Sequence, residues 1–135
     1  AGSCAALGVP LSGKGRVGKD WGSGVTRTIT RVRAWDPNNE GFYNLGDATI
    51  NLLGHTANDP AAASVLATTT ATYTIPLQEI DINSGIDVST AYRYHWVEVA
   101  GGISAGTRYL GCIFFYEADA SIVPVLMRQY RARRT

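Results

Sequence analysis

Apolar and polar positions alternate along most of this chain in short runs, and the runs are separated by Gly, Asn, Asp and Pro, the spacing of an all-β domain. In residues 25–35, Val25, Arg27, Ile29, Arg31 and Arg33 share one parity, and Thr26, Thr28, Thr30, Val32 and Ala34 share the other. That parity is imperfect, which predicts a bulge or an edge near Thr30. Residues 48–53 read as a strand with Ile50 and Leu52 inward, and residues 55–63 as a loop or short helical turn. Across residues 65–82, Tyr73, Ile75 and Leu77 alternate and are followed by Ile80 and Ile82; Pro76 among them argues for an edge strand or a bulge. Residues 91–100 are expected to form a central strand, with bulk from Tyr94, Trp96, Val97 and Val99. Residues 108–117 are the most apolar run and are expected in the middle of a sheet.

The alternation stops near Ala118, and the remainder carries an apolar patch followed by arginines. No amphipathic helix falls between the strand runs, which argues against βαβ units. The pattern predicts an all-β fold, a two-sheet antiparallel jelly-roll β-sandwich. Its expected organisation is an N-terminal segment (1–16), the sandwich (17–117) and a C-terminal apolar and arginine-rich extension (118–135).

Composition supports that reading: 45% of the 135 residues are apolar and 17% charged, enough to build a core without a metal or several disulfides. The net charge is only +1, so nucleic acid is not an expected partner of the whole chain. No apolar run approaches the ~18 residues of a membrane span. The two cysteines, Cys4 and Cys112, are too isolated for a zinc or CxxC site. They could pair if the first and last strands lie side by side, which would stabilise the fold by roughly 4–5 kcal/mol in the chain-entropy model. Two reduced, buried thiols are an equal alternative.

Four segments, taken in order, resemble discoidin domains, also called coagulation-factor type C domains. "VGKDWGSGVTRTITRVRAW" looks like that family's strand pair, and "DPNNEGF…ATINLLGHTANDP" like its following loop and strand. "IDINSGIDVSTAYRYHWVEVAGG" is similar to the family's "A-R-Y-x-R-I" strand in phage and bacterial versions, and "RYLGCIFFYE" to its closing strand. Together they cover about residues 17–117. The resemblance implies a galactose-binding-like β-sandwich that binds glycans, lipid head groups or proteins through loops at one end. The chain departs from it in its short lead-in, in Cys112 or Ile113 where the family usually has Glu, and in its arginine-rich tail. A short sandwich with such a tail suits a virion or tail-fibre subunit, and hence a virion or extracellular location.

The candidate chemistry gathers after residue 34. Sugar sites need an aromatic surface flanked by amides and carboxylates. Trp35, Phe42 and Tyr43 beside Asp36, Asn38, Asn39 and Glu40 supply both, so this loop is the expected glycan site. A plain turn, set by Pro37, Asn39 and Gly41 with the aromatics packed inward, is the competing reading. Asp36, Asn38 and Glu40 alternate as hard-oxygen ligands do and are candidates for a structural calcium ion; no other cofactor is expected. "GKGRVGKD" (13–20) reads as a flexible lead-in loop, His55 as a turn residue and His95 as a sheet residue. No nucleophile motif accompanies either histidine, so the expected function is non-catalytic. In the tail, Ile122, Val123, Val125, Leu126 and Met127, followed by Arg128 and Arg131, are expected to contact other copies of the chain or neighbouring subunits. The expected function is carbohydrate or receptor binding, and the alternative is a purely structural capsid or tail subunit.

Overall fold

The computed structural model describes residues 14–35, 42, 46–73, 78–101 and 112–118. Among them are seven strands and no helix: β1 (Gly15–Asp20), β2 (Ile29–Trp35), β3 (Ala48–His55), β4 (Ser64–Ala71), β5 (Glu79–Ile82), β6 (Tyr94–Gly101) and β7 (Ile113–Glu117). They form one sheet in the order β1-β6-β3-β4 and another in the order β5-β2-β7, and every pairing is antiparallel. The chain crosses between sheets at every connection except the β3–β4 hairpin. The result is the two-sheet sandwich that the alternating pattern predicts. No helix among the described residues is long and apolar enough to cross a membrane.

The core is the interface between the two inner faces. Val32, Ala34, Ile80, Ile82 and Ile113 from the smaller sheet meet Ala48, Ile50, Leu52, Val97 and Val99 from the larger. Ile29 and Val32 are both buried although three positions apart, which strict alternation forbids. The register between β2 and β7 shifts between Ile29 and Arg31, so the bulge expected near Thr30 is present. It turns both apolar side chains inward and leaves Arg31, Arg33 and Trp35 on the outer face. A second shift, between Leu52 and Leu53 of β3, leaves Leu66 without a register partner, and Leu66 packs in the core.

Two expectations need correction. "GKGRVGKD" is not a loop over its whole length: Gly15–Asp20 is β1, paired residue for residue with β6. Three glycines hide the apolar alternation there, but backbone pairing with a central strand needs none. The second concerns the last strand. Among the described residues β7 borders only β2, at the edge of its sheet. Its apolar character is spent on both faces, with Ile113 buried and Tyr116 38% exposed.

β6 is the central strand expected of residues 91–100. All five residues from His95 to Glu98 and Val99 are buried, which requires cover on both faces of the sheet. Cys112, just before β7, is held in a disulfide, which removes the reduced-thiol alternative for it. Cys4 lies outside the described residues, as does the tail from residue 119 onward, with Ile122 to Met127, Arg128 and Arg131.

Candidate ligand-binding site

Register assigns the outer face of the larger sheet. One row crosses all four strands: Arg16, Glu98, Asn51 and Thr68. The Glu98 carboxylate, 4% exposed, accepts from Arg16 Nε at 2.7 Å and from Asn51 Nδ2 at 2.9 Å. Thr68 Oγ1 donates to Asn51 Oδ1 at 2.8 Å, and Lys14 Nζ approaches Glu98 at 3.7 Å. Burial works to raise the Glu98 pKa, but the bonds from Asn51 and Arg16 and the charges of Lys14 and Arg16 outweigh it and hold the group below the ordinary carboxylate range. Every group of this row is engaged, so it braces the sheet.

Toward the other end of β6, Tyr94 and Trp96 share the same face. Their rings are stacked, 5.7 Å apart and 9° from parallel. Opposite Trp96 in register is Gly18, and a Cβ there would overlap the indole Cδ1 and Nε1 and crowd the His95 carbonyl. Glycine is therefore what lets the indole lie across β1. Beside Tyr94, Arg93 makes a two-pronged ion pair with Asp20, at 2.8 and 2.9 Å, while its guanidinium carbon stands 4.9 Å from the Tyr94 ring centre. The Arg93 bond, reinforced by the Gly22 N–H, lowers the Asp20 pKa to about 2, so this carboxylate stays ionised in any ordinary buffer.

These groups surround a shallow cleft of about 240 Å³ lined by Gly18, Lys19, Asp20, Asn58, Tyr94 and Trp96. Asn58 comes from the turn between β3 and β4, which His55 shapes by accepting the Ala57 N–H at its Nδ1, 2.8 Å away. Tyr94 is half-buried, whereas Trp96 shows only its rim, at 7% exposure. The cleft thus offers an aromatic wall, an ionised carboxylate, an ammonium and a planar amide within one small volume.

The site expected from sequence lies elsewhere. Trp35 is half-buried on the outer face of the smaller sheet, edge-on to Phe114 at 5.1 Å and with Arg33 over its ring at 5.0 Å. Phe42 is fully buried in the core, and its N–H donates to the buried Gln78 side chain, which in turn donates to the Ala71 carbonyl. It therefore has no ring face for a ligand, a correction to its expected role: a wholly apolar ring gains by joining the core cluster. Asp36, Asn38, Asn39, Glu40 and Tyr43 lie outside the described residues, and so do all three calcium candidates. Among the described residues no group of three His, Cys, Asp or Glu could hold a metal ion. The sequence signal that could have found the cleft was the spacing of Tyr94 and Trp96, two apart on one strand; what it lacked was which face they occupy.

No family model matches the chain, and no curated protein does; the resemblance to discoidin domains stands on the four quoted segments alone. Among solved structures, the chain is similar to the X-ray crystal structure of a non-crystalline cellulose specific carbohydrate-binding module, CBM28. The TM-score is 0.45 at 14% identity, over 83% of this chain and 71% of that one. Fold class and candidate site are assigned from this chain's own strands and side chains: an antiparallel two-sheet β-sandwich with a polar and aromatic cleft at one sheet edge.

Proposed function

We propose that the protein is a non-catalytic carbohydrate-binding module and that the cleft between β1 and β6 takes a glycan. The observation that carries this is the meeting of a stacked Tyr94–Trp96 pair with Lys19, Asp20 and Asn58 in one open volume. The C–H face of a sugar ring packs on aromatic surface, and its hydroxyl pairs bond to a carboxylate or an amide. Asp20 meets the cleft as an ionised carboxylate already engaged by Arg93, the Gly22 N–H and Tyr94, so the groups left to bond sugar hydroxyls are Lys19 and Asn58. The side chains of Lys19 and Asn58 have no hydrogen-bond or ion-pair partner among the described residues. The volume is below the ~300–1,000 Å³ of enclosed ligand pockets, so contact is confined to about one sugar ring and monomeric affinity is weak.

The proposed lineage is the discoidin one, and the proposed setting is a virion or tail-fibre component, or another extracellular protein; both rest on sequence alone. Avidity would come from copies assembled through the tail, Ile122 to Arg131, and removing residues 120–135 tests that by mass in solution. The central test is a glycan array on the multimerised domain, with Tyr94→Ala, Asn58→Ala and Trp35→Ala variants. Binding lost in the first two and kept in the third supports the cleft. Binding lost only in the third returns the site to the 35–43 loop. No binding to any glycan leaves the purely structural capsid or tail subunit as the function.

A further inference from the structure

His95 is fully buried beneath the cleft, between Tyr94 and Trp96 in sequence but on the opposite face of β6. Its Nδ1 accepts the indole N–H of Trp21 at 2.8 Å, which puts the ring proton on Nε2. That Nε2 is buried with no hydrogen-bond partner. Around the imidazole stand Trp21 and Tyr92, each at 6.1 Å, and Phe115 at 6.5 Å. Its register partner on β3 is Gly54, and Tyr92 and Leu66 occupy the space a side chain would take there.

Among the described residues, no charged side chain of the elements packed around the ring bonds to it. Lys19 stands over the Trp21 ring at 5.9 Å, Asp20 is held by Arg93, Arg27 is paired with Glu117, and His55 engages Ala57. Among the described residues no carboxylate is paired with this imidazole. Burial alone drives the pKa of this histidine down, to about 4.

Trp21 ties the ring to the rest of the fold. Its backbone N–H bonds to the Arg93 carbonyl at 3.0 Å, and it directly follows β1, whose Gly18, Lys19 and Asp20 line the cleft. Protonation would convert Nδ1 from acceptor to donor, facing a Trp21 N–H that is also a donor, and would place a charge among three aromatic rings. We propose that His95 is an acid latch: neutral, it pins Trp21 and the end of β1; protonated, it releases both and opens the β1–β6 wall of the cleft. The latch does not depend on what the cleft binds.

The direction follows from linkage. A histidine harder to protonate in the folded than in the unfolded chain contributes stability that is complete above its ordinary pKa of 6.5. That stability is lost as pH falls from 6.5 toward 4. Between pH 7 and 4.5 this group alone should raise the unfolding equilibrium constant roughly fifty-fold. The test is denaturant unfolding, followed by tryptophan fluorescence, across that range in the wild type, in His95→Gln and in a His55→Gln control. The glutamine amide oxygen can accept from Trp21 but takes no proton. The expected result is a marked loss of stability in the wild type and the control, and a much flatter profile in His95→Gln. Should that variant fail to fold, NMR titration of the wild-type imidazoles serves: one ring should stay neutral below pH 5 and then change together with the Trp21 indole N–H signal. A wild-type stability that is constant from pH 7 to 4.5, a His95→Gln profile parallel to wild type, or a buried imidazole titrating near 6.5 would overturn the latch.

Discussion

The outer faces of the two sheets carry the same kinds of residue arranged to different ends. On the smaller sheet, Arg31 pairs with Asp81 through two bonds of 2.9 and 2.7 Å, and Arg33 with Glu79 at 2.9 Å. Arg31 also lies over Tyr116 and Arg33 over Trp35. All of these are partly exposed, so each pair is screened and adds little stability. On the larger sheet Glu98 is buried, Arg16 and Asn51 beside it are half-buried and Thr68 is exposed, and at the Tyr94 end the side chains of Lys19 and Asn58 have no hydrogen-bond or ion-pair partner among the described residues. Charge on the first face is consumed by cross-strand neighbours; on the second, one row braces the sheet and the other lines the open cleft. Saturation of the polar side chains, not composition, distinguishes the bracing rows from the cleft end.

The comparison is broken most directly at Gly18. Gly18→Ala should cost about 3 kcal/mol, because the new methyl meets the Trp96 indole and the His95 backbone carbonyl at once; urea unfolding would show it as a lower midpoint with unchanged slope. Glu98→Ala should cost about 2 kcal/mol, since it takes from the half-buried Arg16 and Asn51 side chains the buried carboxylate they share, with Glu98→Gln recovering part of the loss. Tyr94→Ala should weaken glycan binding about tenfold or more while changing stability little, and Trp35→Ala should leave that binding intact; surface plasmon resonance on an immobilised glycan reads both. The smallest effect is expected at Asp81→Ala, with no resolvable shift in the unfolding midpoint and whatever difference exists disappearing in about 1 M salt. A Glu98→Ala cost that vanished in the same salt would mean that its row is as exposed as the Arg31–Asp81 pair.

Acid sharpens the same contrast. Asp81, held below its ordinary range first by the Arg31 bond, contributes stability that is present at neutral pH and is lost only as pH falls below about 3.8. His95 acts in the window above that. A pH scan therefore separates the paired surface of one sheet from the buried ring under the other.

The sandwich was legible because its signals are local. Ile50 and Leu52 alternate over a single strand, and the broken parity around Thr30 announces a bulge. The central position of β6 could be anticipated from Val97 and Val99 beside Tyr94 and Trp96, a strand too apolar for one buried face. β1 escaped because it has a single apolar side chain, Val17, and two glycines, and takes its structure from pairing with β6. One member of the expected loop site, Phe42, was misread for a related reason. "WDPNNEGFYN" concentrates sugar-binding residue types in one stretch, and composition cannot tell that Phe42 is in the core.

The residue sequence by itself determined that strands form, where most of them lie and that they bury apolar faces against each other, because alternation acts over neighbouring positions. Only the tertiary structure decided which face each side chain shares and with whom. Register between β1 and β6 sets Gly18 against Trp96 and Asp20 against Tyr94, partners more than seventy residues apart, and the Asn58 turn closes the third side. Contacts of that separation follow from the pairing of whole strands, so no single segment of the chain contains the cleft or the buried environment of His95.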